Sequence, residues 1–138
     1  MIEFNFNSQI CTTRQQSERL LALGLKKETA DMAHQSVGAT QFNVWYKAEI
    51  EDNFYPAWSL GRLLEMLPSP IPISENLPTF NHYAFLNLSA ESVVYCWEDY
   101  DGADRALVGF TGKGFFSAVV DATEWLIKEG YFNKDYLL

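Results

Sequence analysis

Apolar positions change period along the chain, and each change marks an expected element. Phe42, Val44, Tyr46, Ala48 and Ile50 alternate with Asn43, Trp45, Lys47 and Glu49, the period of two expected of a half-buried strand. The same period sets Ala84, Leu86 and Leu88 against Tyr83, Phe85 and Asn87. Two further apolar runs, Ser92-Val-Val-Tyr-Cys-Trp-Glu98 and Arg105-Ala-Leu-Val-Gly-Phe-Thr111, flank a turn at Asp101-Gly102. Such a dipeptide favours a tight hairpin, because glycine and, less readily, aspartate accept positive φ. The last three runs therefore predict an antiparallel meander from Tyr83 to Thr111. At the start of the chain, Ile2, Phe4 and Phe6 alternate with Glu3, Asn5 and Asn7, which predicts a short strand or extended arm over Met1–Cys11.

Elsewhere the period is helical. Thr13 followed by Gln16 matches a capping box, Leu20, Leu21 and Leu23 supply an apolar side, and Gly24 is placed to end the helix with Leu25 folded back. Lys26 to His34 is read as a second short helical segment with little apolar face of its own. Ser59 can cap a helix carrying Leu60, Leu63, Leu64 and Leu67, which Pro68 stops. The broadest stripe is Phe116, Val119, Val120, Thr123, Trp125, Leu126 and Ile127, closed by Gly130. The expected fold class is α+β: a small, mainly antiparallel sheet with about three helices, near 13–23, 59–67 and 115–129, packed mostly on one face. Residues 1–138 read as a single domain, with no repeat and no shift in composition. Within it, 68–79 holds four of the five prolines and is expected to be a rigid surface connection without regular structure.

Three stretches together carry a resemblance. Pro56-Ala-Trp-Ser-Leu60 with Leu63-Leu-Glu-Met-Leu-Pro68, Ser17-Glu-Arg-Leu-Leu-Ala-Leu-Gly-Leu25 before Thr29-Ala-Asp-Met32, and Asp121-Ala-Thr-Glu-Trp-Leu-Ile-Lys-Glu-Gly-Tyr131 resemble a group of small uncharacterised proteins of gut Bacteroidetes and their prophages or mobile elements. These motifs are caps, apolar helix faces and terminators. The resemblance implies a bacterial intracellular setting and brings no activity, cofactor or site residue with it.

Charge narrows the function classes. Eighteen acids against ten bases give −8, and Glu91, Glu98, Asp99, Asp101 and Asp104 stand in a stretch without Lys or Arg. That sign argues against direct nucleic-acid binding and against an anionic membrane surface. It also raises an alternative: an acidic inhibitor that imitates nucleic-acid charge. No apolar run approaches a membrane span, and the N-terminus lacks the basic start of a secretion signal, so a cytoplasmic protein is expected.

Candidate chemistry is sparse. Cys11 and Cys96 form neither a disulfide framework nor a metal knuckle. His34 has only Asp31 at a helical spacing and reads as an ordinary surface or capping residue. His82 begins a strand that neighbours the one carrying Cys96, making this the one Cys–His pair worth weighing for nucleophilic catalysis; Cys96 in an apolar strand is expected to be a buried, inert thiol. Gly109-Phe-Thr-Gly-Lys-Gly114 lacks the spacing of a phosphate-binding loop. Counting from Asp99 as first ligand of a calcium loop, Ala103 falls at the fifth position and Phe110 at the twelfth, so that motif fails. No catalytic residue, metal ligand or cofactor is assigned, which argues against an enzyme.

Aromatic residues, at 15% of the chain, are the remaining signal. With Ala84, Leu86, Leu88, Val94 and Cys96 toward the helices, Tyr83, Phe85, Tyr95 and Trp97, joined by Trp45, are expected on the opposite sheet face. An aromatic face of this kind suits a protein partner or a second copy of the chain. The leading expectation is a non-enzymatic interaction protein that self-associates through it.

Overall fold

The computed structural model describes residues 8–36, 42–46 and 54–138, with Ser36 and 42–46 described through their backbone. Most of the expected N-terminal arm, and the last part of the strand read to Ile50, lie outside the described residues.

The architecture is α+β, with three helices and two antiparallel sheets among the described residues. Helix α1 spans Arg14–Ala22, α2 Leu60–Met66 and α3 Phe115–Glu129. Strands β1 (Met32–Ser36), β2 (Phe42–Tyr46) and β3 (Tyr55–Ala57) form a sheet in the order β2-β1-β3. Strands β4 (Ile71–Pro72), β5 (Tyr83–Leu88), β6 (Val93–Glu98) and β7 (Asp104–Phe110) form a second sheet in sequence order. The expected meander is its last three strands.

Local chemistry accounts for the helix ends. Thr13 Oγ1 accepts from the Gln16 amide at 3.1 Å and Gln16 Oε1 accepts from the Thr13 amide at 2.9 Å, the reciprocal pair expected of the capping box. Gly24, at φ 98°, turns the chain out of α1, and the Leu25 amide returns to Leu20 O at 3.1 Å. Ser59 Oγ accepts from the Arg62 amide at 3.1 Å to start α2. Gly130, at φ 80°, ends α3, and the amides of Tyr131 and Phe132 both return to Leu126 O.

Two segments depart from expectation. In place of a helix over Lys26 to His34, only Lys27–Thr29 makes a 3-10 turn, and the chain then enters β1. This strand pairs with β2 on one side and β3 on the other, so its backbone groups are satisfied by neighbours the local sequence does not reveal, and Met32 and Ala33 are buried. In the proline-rich segment, Ile71 and Pro72 pair with Ala84 and Tyr83 as a short edge strand. An edge position tolerates a residue without a backbone donor, and burial of Ile71 and Ile73 anchors the segment to the core.

The main core gathers Leu20, Leu25, Trp58, Leu63, Val93, Tyr95 and the buried stripe of α3, Phe116, Val119, Val120 and Leu126. Trp58 is wholly buried and its polar atoms are all matched. Its indole Nε1 donates to Thr29 Oγ1 at 2.9 Å, its amide donates to Thr12 Oγ1 at 3.0 Å, and its carbonyl accepts from the Thr12 amide at 2.8 Å. One residue, through its backbone and its indole, thus joins the segment before α1, the 3-10 turn and the approach to α2.

Candidate functional site

The register of β5 against β6 decides which aromatics can meet a partner. Phe85 lies opposite Cys96 and Leu86 opposite Tyr95. Residues directly opposite in an antiparallel pair share a face, and neighbours along a strand alternate. Tyr95 and Trp97 therefore belong with Ala84 and Leu86 on the inner face, while Tyr83 and Phe85 belong with Val94 and Cys96 on the outer one. The expected grouping of Tyr83, Phe85, Tyr95 and Trp97 is thus divided in two. Tyr95 is wholly buried; its hydroxyl donates to Pro68 O at 2.8 Å and its ring lies 6.5 Å from that of Trp125 on α3. Trp97 is half-buried against the core. Trp45 stands on β2, opposite Ala33 in the other sheet, so it does not extend this face; its side chain lies outside the described residues.

What remains on the outer face is a compact apolar strip. Tyr83 and Phe85 are 45% and 46% exposed. Beside them Val94 and Cys96 are half-buried, and Ala106, opposite Cys96 on β7, is exposed. Helix α3 packs on the inner face, as the contacts of Trp125 with Tyr95 and Phe110 show. One step beyond Cys96 on the outer face, Glu98 and Asp104 lie directly opposite each other across β6 and β7. Near this end of the sheet, Phe80 and Tyr100 contact one another with ring centroids 4.6 Å apart while remaining 81% and 55% exposed. The Tyr100 amide donates to Pro78 O at 3.1 Å, which holds the hairpin tip against the proline segment.

Nucleophilic chemistry gains no support from these placements. His82 precedes β5 in a left-handed conformation, φ 57°, and its Nδ1 is buried without a hydrogen-bond partner. It does not bond Cys96, which faces outward and is half-exposed, not buried as expected. Burial and the charge of Asp104 hold the Cys96 thiol above its ordinary range, opposed by a hydrogen bond with Asn87.

Tertiary structure instead brings together Cys11 and His34, a pair that sequence separation conceals. Cys11 Sγ lies 3.7 Å from His34 Nε2, and the same nitrogen is 2.7 Å from Thr12 O. Since a carbonyl only accepts, Nε2 carries a proton and donates it to Thr12 O; it is not the base that would activate the thiol. Burial, and after it the charge of Asp31, push the Cys11 thiol up to about 11, which keeps it protonated at neutral pH. Asp31 is itself committed to Ser59, accepting from its amide at 2.8 Å and from its hydroxyl. The cluster holds β1, the segment before α1 and the α2 cap together.

The acidic hairpin tip also contains a structural group. Asp99 is nearly buried and accepts from the amides of Asp101 and Ala103 and from Arg105 Nε, each at 2.9 Å. The Ala103 amide and then Arg105 hold its carboxyl below the usual range, with burial opposing them and the Asp101 amide adding to them. Other acids are spread over α1, α2 and α3, where Glu18, Glu65, Asp121 and Glu124 pair with Arg14, Arg62 and Arg19. In the glycine stretch before α3, Gly112 is packed tightly, since a Cβ there would lie 2.7 Å from Ser117 Oγ and 3.1 Å from the Ala118 amide, whereas Gly114 is open and takes a φ of 120°. Among the described residues no three His, Cys, Asp or Glu side chains group as a metal site, and no helix is long and apolar enough to cross a membrane.

No family model, curated protein or solved structure matches the chain.

Proposed function

We propose that this chain is a non-enzymatic protein-interaction module whose contact surface is the outer face of the four-stranded sheet. The observation that carries the reading is the pair Tyr83 and Phe85, nearly half exposed side by side on the face opposite α3. Large aromatic side chains left in water on a flat, apolar strip gain by being covered, at roughly 25 cal/mol per Å² of apolar area removed from solvent.

Replacing Phe85 by a photo-crosslinking phenylalanine analogue, in cells of the source organism, tests the reading. Illumination is expected to give a discrete adduct from position 85 and none from position 129 at the end of α3. An adduct of twice the chain's mass identifies a second copy as the occupant, as self-association requires. An adduct of another mass identifies a different protein. If position 85 gives no adduct, this surface is not an interface.

A further inference from the structure

We propose that the partner seated on this face presents lysine or arginine side chains, whose stems lie along Tyr83 and Phe85 and whose charged heads reach Glu98 and Asp104. The proposal rests on the reading of the outer face as a contact surface and names the chemistry of its occupant.

The argument starts from an arrangement that is unfavourable in the isolated chain. Glu98 and Asp104 lie directly opposite across β6 and β7, both exposed and on one face. Like charges at such a position repel and destabilise the pairing. The adjacent base does not relieve them: Arg105 belongs to the opposite face, and its Nε is bonded to Asp99 Oδ2 at 2.9 Å. Neither Glu98 nor Asp104 forms an ion pair among the described residues. A cation brought between them would convert the repulsion into two attractions.

The surroundings fit a cation with a long apolar stem. On the same face, one step along the strands, stand Phe85 and Tyr83, whose exposed rings suit the methylene stem of Lys or Arg. Beyond the end of the strands, the exposed Phe80–Tyr100 pair adds aromatic faces that attract cations through the ring quadrupole. Charge on the whole chain agrees in sign, at −8, and would draw a basic partner in over a distance set by ionic strength. Aromatic faces and an uncompensated carboxylate pair occur together on this one surface, which separates it from the acids already paired on the helices.

Capped eight-residue peptides of serine alternating with lysine, arginine or glutamate provide the probe, with amide NMR shifts as readout. Lysine and arginine peptides are expected to shift Tyr83, Phe85, Glu98, Asp104 and Tyr100, more strongly at low salt, and the glutamate peptide to shift none of them. Affinity is expected to fall about tenfold in a Glu98→Gln/Asp104→Asn variant and severalfold in Phe80→Ala. A Glu75→Gln/Glu129→Gln variant, with the same change in net charge, is expected to bind as the parent does. The Glu98→Gln/Asp104→Asn variant removes repulsion and should fold at least as well, so loss of binding is not loss of structure. Shifts scattered over the acids of α1, α2 and α3, or equal weakening by both double variants, would mean that net charge alone attracts the peptide and would overturn the proposal. Shifts at Tyr83 and Phe85 that appear on concentration without peptide would make a second copy the occupant, and also overturn it. In either case an adduct at position 85 would still stand for the broader reading.

Discussion

At the residue scale, Tyr95 and Phe85 are aromatic side chains on neighbouring strands with opposite fates. Tyr95 is buried against α3 with its hydroxyl bonded to Pro68 O, whereas Phe85 is 46% exposed. Truncation should separate them sharply. Tyr95→Ala is expected to cost about 3–5 kcal/mol and Tyr95→Phe about 1 kcal/mol for the lost hydrogen bond. Phe85→Ala should stay within about 0.5 kcal/mol, as for a surface position. Urea unfolding measures all three, and a comparable loss for Tyr95→Ala and Phe85→Ala would contradict the register of β5 and β6. The alternation in each strand is legible in the sequence, but the phase of one strand relative to the next is not. That phase is set by the turn from Ser89 to Ser92, and a one-residue difference moves every side chain to the other face.

At the element scale, the β6–β7 hairpin is closed by Asp99 more than by its Asp101-Gly102 dipeptide alone. Its carboxylate accepts two turn amides and the Arg105 guanidinium. A carboxyl held below its ordinary range in the folded chain contributes stability above its unfolded pKa of about 3.9, and that contribution disappears as pH falls through the lower folded value. Thermal melts should therefore show the parent more stable than Asp99→Asn near pH 7, with the gap closing as pH falls below about 4. A gap that widens in acid would have the wrong sign for this role. Helices α1, α2 and α3 were legible because caps and terminators act within a few residues, as Thr13 with Gln16 and Gly130 do. Strand β1 was not, because its stability comes from pairing with β2 and β3, a contribution that no local pattern carries.

At the scale of the whole molecule, Cys11 measures how the parts hold together. It is 5% exposed in a small apolar cluster with Met32 and Ala57, and its bridge to Ser59 links the segment before α1 to the start of α2. Its thiol is protonated and enclosed, while Cys96 faces outward in the other sheet. With a small alkylating reagent at about pH 8, mass spectrometry should find Cys96 modified first and Cys11 modified only at the rate at which the fold opens. In denaturant both should react alike. Equal rates in the native protein would mean that the Cys11 cluster opens independently of the remaining core.

By itself the sequence determined the α+β class, the three helices with their caps, the meander, and the failure of the calcium and phosphate motifs. Each follows from periodicity or from spacing over a few residues. Only the tertiary structure decided that Tyr83 and Phe85 face outward while Tyr95 and Trp97 face in, that Cys11 meets His34, and that Glu98 confronts Asp104 beside an aromatic strip. These depend on pairing between segments remote in the chain, where register and burial, not local preference, set which side chains meet.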